Sequence, residues 1–594
     1  MIRQNRVPDM LYGFNYGKRE FCTEHRNASL HYHTMAEKIS SDKPRELIAD
    51  WDRLMRTFIM PEVDTTELRL AKYMNQILFG LNDFLKKHVG ITEEVGLKTL
   101  AKRFSDSSIR QNPEKKLADV IIDIIDHVAP HAVNVSSPYF IGHMTSAIPF
   151  FMVHLKTIVA ALNQNVVKLE TSKVCSVIEK QVLAKIHRLV YHQDRDFYDH
   201  NIQNPQSTLG CFIEDGTLAN ITALWVARNA AFAPKDGFDG IEREGIVSAF
   251  RAYDVERAVV LVSRLAHYSF RKAGGLLGIG NENIIGIDVD SRNRIDLDCL
   301  RQTIGTLCSD RRKTKIIAIV GIAGTTETGS VDPLPEIANI CTDHGIHFHA
   351  DAAWGGPTLL SDRYKHLLSG IDRADSVTID GHKQFYMPMT CGMVYFKNPS
   401  LPDVISYHSN YVNRIGSVDL GIKSLSGSRE ANSLILDSAL KIMGARGYGL
   451  LLEHGIETAR QFADEIEKRP GFELITPPTL NILTYRLVPE QYRGIAADAD
   501  KDTRKSIDAK LNKINRAIQI VQREKGKSFV SRTTLKVDND PEHNRVVLRC
   551  AIMNPMTNIN ILREILDEQE QIYHNMFSKR KSLPPLEAQA ATGT

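Results

Sequence analysis

The chain has 594 residues, with 74 lysines and arginines against 71 aspartates and glutamates, a formal net charge of +3. That near-balance argues against a dedicated nucleic-acid or polybasic membrane binder. With 43% hydrophobic and 24% charged residues, the composition is that of a globular protein and excludes a disordered, collagenous or small disulfide-scaffold chain.

The first 21 residues alternate charge with aromatics and lack the apolar run of a secretory signal. Eight cysteines, from Cys22 to Cys550, are scattered without a C-x-x-C pair and read as reduced thiols. Both features place the chain in the cytoplasm. Apolar positions at three- and four-residue spacing in Leu68–Phe84 and Leu117–Val128 predict a helical segment over residues 1–130, with Pro113 and Glu114 opening the second helix. Ala147–Leu162 is the most apolar long stretch, but His154 and Lys156 interrupt it and it falls short of the roughly 20 residues a membrane span needs.

From about residue 200, β-branched runs alternate with helical stretches: Ala258–Val262, Ile316–Ile322, Ile346–Ala350, Ser376–Ile379 and Met393–Phe396. This alternation predicts an α/β domain with a mainly parallel sheet over residues 131–425. After a loop over Tyr407–Ser428, helical periodicity returns in Ser433–Met443 and Gly455–Lys468. Strand-like runs follow at Asn481–Leu487 and Arg545–Ile552, predicting a smaller α+β domain over 426–576 and a flexible tail over 577–594. No internal repeat is present.

Three signatures lead nowhere. Gly526-Lys527-Ser528 ends like a P-loop, yet Val521 stands where its first glycine belongs. Gly274, Gly275, Gly278 and Gly280 miss the G-x-G-x-x-G spacing and are expected to shape a loop. His344, His347 and His349 suggest a metal, with the last two on one strand face, but no third ligand is evident on that face and no metal is expected.

Other polar residues cluster where apolar strands end. Asp351 closes one strand, and Asp380-Gly381-His382-Lys383 closes another a crossover later. An acid and a lysine so placed converge on one crevice, as an ion pair or as chemistry. Glu214-Asp215-Gly216-Thr217 leads into an apolar helix, Ile221–Phe232, so backbone N–H groups around Gly216 and Thr217 form an anion site. A phosphate cup, a carboxylate and a lysine are what pyridoxal 5′-phosphate requires: the phosphate at the helix start, Asp351 at the pyridine nitrogen and Lys383 at the aldehyde.

In these residues the sequence resembles the group II pyridoxal-phosphate-dependent amino acid decarboxylases. The resemblance runs over about residues 130–575, through Asp215-Gly216-Thr217-x-Ala219-Asn220, Ala266-His267-Tyr268-Ser269, Gly324-Thr325-Thr326, His349-x-Asp351-Ala352-Ala353-Trp354, His382-Lys383, Gly427-Ser428-Arg429 and Leu548-Arg549-Cys550. With its long N-terminal extension the chain looks closest to the bacterial pyridoxal-dependent aspartate 1-decarboxylases. The resemblance implies the aspartate aminotransferase-like fold, fold type I, with pyridoxal 5′-phosphate as cofactor and a homodimer in which the helical N-terminal segment clasps the partner.

By the same resemblance Lys383 binds the cofactor covalently and Asp351 keeps its ring nitrogen protonated. His267 stacks on the ring, with a plain surface or core role as the alternative. His382 contacts the phosphate or the substrate, Gly324 and Thr325 shape the floor, and Ala353 lies against the cofactor. Tyr411 aligns with a mobile-loop proton donor, or is an exposed loop aromatic. Arg549 matches an arginine that holds a substrate carboxylate, or is bound structurally to backbone, and His143 falls at a substrate-pocket position. Three departures stand out: Glu214 and Asp215 place two acids beside the phosphate site and are expected to turn away from it, Asp380 replaces a common asparagine, and Ile322 a common threonine. The implied reaction is α-decarboxylation of an acidic amino acid, L-aspartate to β-alanine. Glutamate or cysteine sulfinate as substrate remains open, as does a non-catalytic scaffold on the same fold.

Overall fold

The structure, a computed structural model, describes residues 97–408, 419–494, 500–540 and 542–578, together with 72–77 and positions 80, 81, 84, 85 and 89. Most of the segment expected to be helical over 1–130, Tyr411 and the end of the tail lie outside the described residues; within the run 68–84 the described positions, 72–77, 80, 81 and 84, are helical as expected. By its contacts the chain falls into two compact units, residues 1–78 with 103–124 and residues 79–102 with 125–594. In the first, a helix covers Leu117–Asp123 and starts later than Pro113, because Lys116 is extended (φ −81°, ψ 159°) and its amide donates to Asp119.

The second unit is built on two sheets. In chain order its first strands are β1 (Gly210–Ile213), β2 (Arg257–Ser263), β3 (Ile284–Ile287), β4 (Thr314–Ile322), β5 (His347–Asp351), β6 (Ser376–Asp380) and β7 (Gly392–Phe396). They form one sheet in the order β1-β7-β6-β5-β4-β2-β3, in which only β7 runs against the others. β4 to β7 are buried nearly throughout, which is why they read as continuous apolar runs. Each fully buried Val or Ile contributes about 1.5–3 kcal/mol relative to exposure.

The helices that bear on the site are α1 (Phe150–Leu162), α2 (Val174–Tyr191), α3 (Gly216–Ala231), α4 (Ser269–Leu276), α5 (Leu334–His344), α6 (Asn432–Lys468), α7 (Lys501–Lys525) and α8 (Ile559–Tyr573). Gly274 and Gly275, expected in a loop, belong to α4, while Gly278 and Gly280 make the turn after it with φ of 73° and 90°. The two helical runs expected after residue 432 are one element, α6, broken at Gly444, whose φ of 64° and ψ of 173° leave the helical region.

The second sheet joins β8 (Phe472–Thr476), β9 (Ile482–Leu487), β10 (Ser531–Lys536) and β11 (Asn544–Ala551) in the antiparallel order β10-β11-β9-β8. Helices α7 and α8 supply apolar faces to its core, through Leu511 and Ile518 on one and Leu562 and Ile565 on the other. A much earlier segment is stitched to this sheet. Phe529 N donates to Tyr139 O (3.0 Å), Ile141 N to Phe529 O (3.0 Å) and Ala551 N to Ile141 O (2.7 Å).

Candidate active site

A cavity of about 290 Å³ opens where the parallel strands of the large sheet end, at the lower end of small-molecule sites. Its walls are the segments that follow β1, β2, β4, β5 and β6, the edge at which open α/β sheets bind ligands. His143, Gly216, Thr217, His267, Asp351, Ala353, His382 and Lys383 all face it.

Lys383 follows β6, and its Nζ lies 2.9 Å from Asp380 Oδ2. The second Asp380 oxygen is buried with no hydrogen-bond partner among the described residues. His382 Nδ1 lies 2.7 Å from the carbonyl oxygen of Cys391. Opposite them α3 begins. Asp215 caps it, its Oδ1 accepting from Leu218 N at 2.9 Å, which leaves the Gly216 and Thr217 amides as open donors at the helix start. A Cβ at residue 216 would stand 2.7 Å from Asp380 Oδ2, so glycine is what lets the end of β6 approach this helix. Glu214 turns away as expected, onto Ser426 Oγ (2.7 Å and 2.9 Å). Asp215 does not: the helix cap holds it in the cavity wall.

Asp351 is 5% exposed. Its Oδ2 accepts from Asn220 Nδ2 (3.0 Å) and its Oδ1 from Ala353 N (3.2 Å). Burial pushes its carboxyl up, while Lys383, the Ala353 amide, His267 and Asn220 pull it back down. Burial holds the His267 imidazole below its ordinary value, and its ring sits 4.2 Å from that of Tyr268. His143 is pushed down as well, by burial first and then by Arg549, Lys383 and His382; it therefore lies within electrostatic reach of both the lysine and the arginine.

Arg549, on β11, is 6% exposed and does not itself line the cavity; it stands behind the wall, against Thr326. Its Nε donates to Thr326 O (2.5 Å), and its Nη1 to Gly142 O (3.2 Å) and Ser531 Oγ (3.5 Å). Its Nη2 is buried without a partner, and no carboxylate among the described residues is within ion-pair distance. Burial lowers this guanidinium to about 10, with Glu327 opposing the shift from beyond pairing range.

Thr325 is not brought to the cavity wall; its Oγ1 bonds Thr328 Oγ1 (2.6 Å) and accepts from Ser330 N (3.1 Å), fixing the turn that presents Gly324 and Thr326 instead. Gly324 is required there: its φ is 104° and a Cβ would stand 2.9 Å from Trp354. Tyr411 is outside the described residues. His347 and His349 share one face of β5 and both bond Ser376 Oγ (2.8 Å each), while His344 ends α5. Sequence reasoning missed Met389 and Thr390 in the wall and carried Tyr268 and Thr326 only as members of motifs. It carried Asn220 in a motif without a role.

Comparison with known proteins gives a consistent result. The pattern of the pyridoxal-dependent decarboxylase conserved domain matches residues 100–488. The chain is 44% identical over 539 residues to an aspartate 1-decarboxylase of Aliivibrio fischeri, covering 91% of this chain and 97% of that protein. It is 28% identical over 429 residues to the acidic amino acid decarboxylase GADL1 of Xenopus tropicalis, covering 71% and 78%. The fold is similar to the crystal structure of mouse CSAD, with a TM-score of 0.72 at 23% identity over 85% of this chain and 99% of that one.

Proposed function

Because the chain belongs to the pyridoxal-dependent decarboxylase family, we propose that it removes the α-carboxylate of an acidic L-amino acid, L-aspartate foremost, giving β-alanine and CO₂. The cavity suits pyridoxal 5′-phosphate in two respects. Its donor set matches the cofactor's ends, with open amides at Gly216 and Thr217 for the phosphate, a carboxylate for the ring nitrogen and an amine for the aldehyde. A side chain at residue 216 would fill the cradle.

When bound, the cofactor supplies the sink for the electron pair released as the bond from Cα to the carboxylate breaks. Lys383 would hold the cofactor by its aldehyde, its amine being the one on the cavity wall. Asp351 keeps a proton at the ring nitrogen through its negative charge. His267 and Ala353 would cover the ring and exclude water, and His382 with the start of α3 would hold the phosphate. Arg549 takes a substrate carboxylate with its free Nη2, and His143 lies between that carboxylate and the reacting centre. Tyr411, or a group near it, returns the proton to Cα.

The observation that carries the substrate class is Arg549: a guanidinium this buried, with one nitrogen unpartnered among the described residues and Glu327 beyond pairing range, is costly unless a ligand supplies the counter-charge. Both acidic-substrate relatives point the same way. The test compares kcat/KM for L-aspartate, L-glutamate, L-cysteine sulfinate and L-tyrosine on wild type and Arg549→Met. Aspartate is expected first, with its lead lost in the variant. Glutamate ahead by tenfold, about 1.4 kcal/mol, changes the substrate. Tyrosine ahead with Arg549→Met indifferent removes the acidic pocket.

In this reading residues 131–425 bind the cofactor and 426–576 supply Arg549. The enzyme works in the cytoplasm as a homodimer. Support for the dimer is the exposure of apolar side chains on α1 and α2, where Phe150 is 78% exposed and Val153, Ile158, Leu162, Val174 and Val177 are exposed with it, as at surfaces that bind a partner. Sedimentation of the active species as a monomer would refute it.

A further inference from the structure

Behind Asp351 runs a buried chain of hydrogen bonds that no step described above uses. Asn220 Nδ2 contacts Asp351 Oδ2 (3.0 Å) and Ser269 Oγ (3.0 Å). Asn220 Oδ1 contacts His349 Nε2 (3.1 Å). His349 Nδ1 contacts Ser376 Oγ (2.8 Å), and Ser376 Oγ contacts His347 Nε2 (2.8 Å). Asn220, His349 and Ser376 are each at most 1% exposed, so no solvent completes these bonds.

The hydrogens can be placed by elimination. An ionised Asp351 only accepts, so the Asn220 amide must turn its NH₂ toward it and its carbonyl toward His349. His349 Nε2 must then carry a hydrogen. Burial, followed by the neighbouring His347, drives the His349 imidazole down to about 3, so it is neutral and its Nδ1 accepts. Ser376 therefore donates to His349 and accepts from His347. Along the path from His347 to Asp351 every donor points toward the carboxylate, the second Asn220 hydrogen branching to Ser269. Bonds aligned in this way polarise one another, and a donor to the charged form of a carboxylate favours that form. The charged and titratable groups facing the chain are Lys383 and His267 at the Asp351 end and Asp375 beside His347.

We propose that His349, acting through Asn220, is a positioning residue that holds Asp351 in its ionised, accepting form and so keeps the proton on the cofactor's ring nitrogen. This rests on the assignment of Asp351 to that nitrogen. Without the His349 hydrogen, the Asn220 carbonyl is buried unpaired, Asp351 becomes a better base, and the shared proton moves from the ring to the carboxylate.

The test reads proton position rather than turnover. Enzyme is loaded with pyridoxal phosphate labelled at the ring nitrogen, and the nitrogen chemical shift is compared in wild type, Asp351→Asn, His349→Phe, His349→Gln and Ser376→Ala. Wild type is expected at the protonated position and Asp351→Asn at the unprotonated one. His349→Phe should move most of the way to the latter. Ser376→Ala, the loss of a single oxygen, should move part of the way and decides the matter if His349→Phe fails to fold. His349→Gln, which keeps an N–H near the Nε2 position, should stay near wild type. A wild-type shift in Ser376→Ala and in folded His349→Phe overturns the proposal. Identical shifts in wild type and Asp351→Asn instead overturn the placement of Asp351 itself.

Discussion

Two buried arginines stand on adjacent strands of the small sheet and are treated in opposite ways. Arg486 on β9, 1% exposed, is paired with Glu473 and with Asp508, and Asp508 also takes His543 and Arg545. Arg549 on β11 has backbone carbonyls, a serine hydroxyl and one idle nitrogen. The first charge is fully answered by the protein and belongs to its architecture. The second is held in position but not neutralised, the state expected of a group whose partner arrives from solution. Asp351 at the cavity shares that unfinished character, and burial pushes its carboxyl up, whereas Lys383 is paired with Asp380.

The contrast is broken most sharply by a pair of substitutions. Lys383→Ala is expected to abolish decarboxylation and covalent cofactor attachment while the urea midpoint stays near wild type, because only an amine there can hold the aldehyde. Arg486→Met should do the reverse, costing about 3–5 kcal/mol of stability because Asp508 is left buried beside a missing partner. Measurable turnover in Lys383→Ala would place the catalytic lysine elsewhere. Next in size, Asp351→Asn should lower kcat by about 10²-fold or more, as does loss of one preorganised electrostatic partner; a near-normal rate would give the ring nitrogen another partner. Arg549→Met should cut kcat/KM for aspartate by about 30-fold, roughly 2 kcal/mol, without loss of stability. Equal destabilisation by the two arginine substitutions would erase the distinction between them.

The smallest effect concerns pH. Burial lowers His187 to about 4, and burial with His347 lowers His349 to about 3, against 6.5 in the unfolded chain. The unfolded chain thus takes up protons that the folded one refuses. Stability is complete above pH 6.5 and is lost as pH falls through the window toward these lower values. Melting temperatures recorded from neutral to mildly acidic pH should fall, and His187→Gln should flatten the slope; an unchanged slope would show that His187 titrates normally.

The sequence carried the parts of this molecule that obey a local rule. β2, β4, β5, β6 and β7 announce themselves as apolar runs because they are buried inside the sheet. β1 and β3 have only four residues, too few for a pattern, and β10 is an edge strand with Arg532 and Lys536 facing solvent. Helix α7 was hidden by its lysines and arginines, although Ile507, Leu511, Ile514 and Ile518 keep helical spacing. The cavity was legible because strand ends gather Asp351, Asp380 and Lys383 within one crossover. That one nitrogen of Arg549 is left without a partner among the described residues was not, since its environment comes from residues 142 and 326, far away in the chain. The direction of the Asp351 relay was equally out of reach, depending on which way one amide faces.

The stitching of residues 139–142 to the small sheet sets an order of events at the ribosome. Gly142 and Arg549 are 407 positions apart, so the carbonyl that steadies the arginine emerges long before the arginine does. Folding during synthesis proceeds from the N-terminal side, and Asp351 and Lys383 can be set in their sheet while β11 is still untranslated. If Arg549 has the proposed role, a nascent chain then has its lysine and its helix-start cup but not the group that would tell an acidic amino acid from any other. On that role, discrimination among substrates would be the last property the chain acquires.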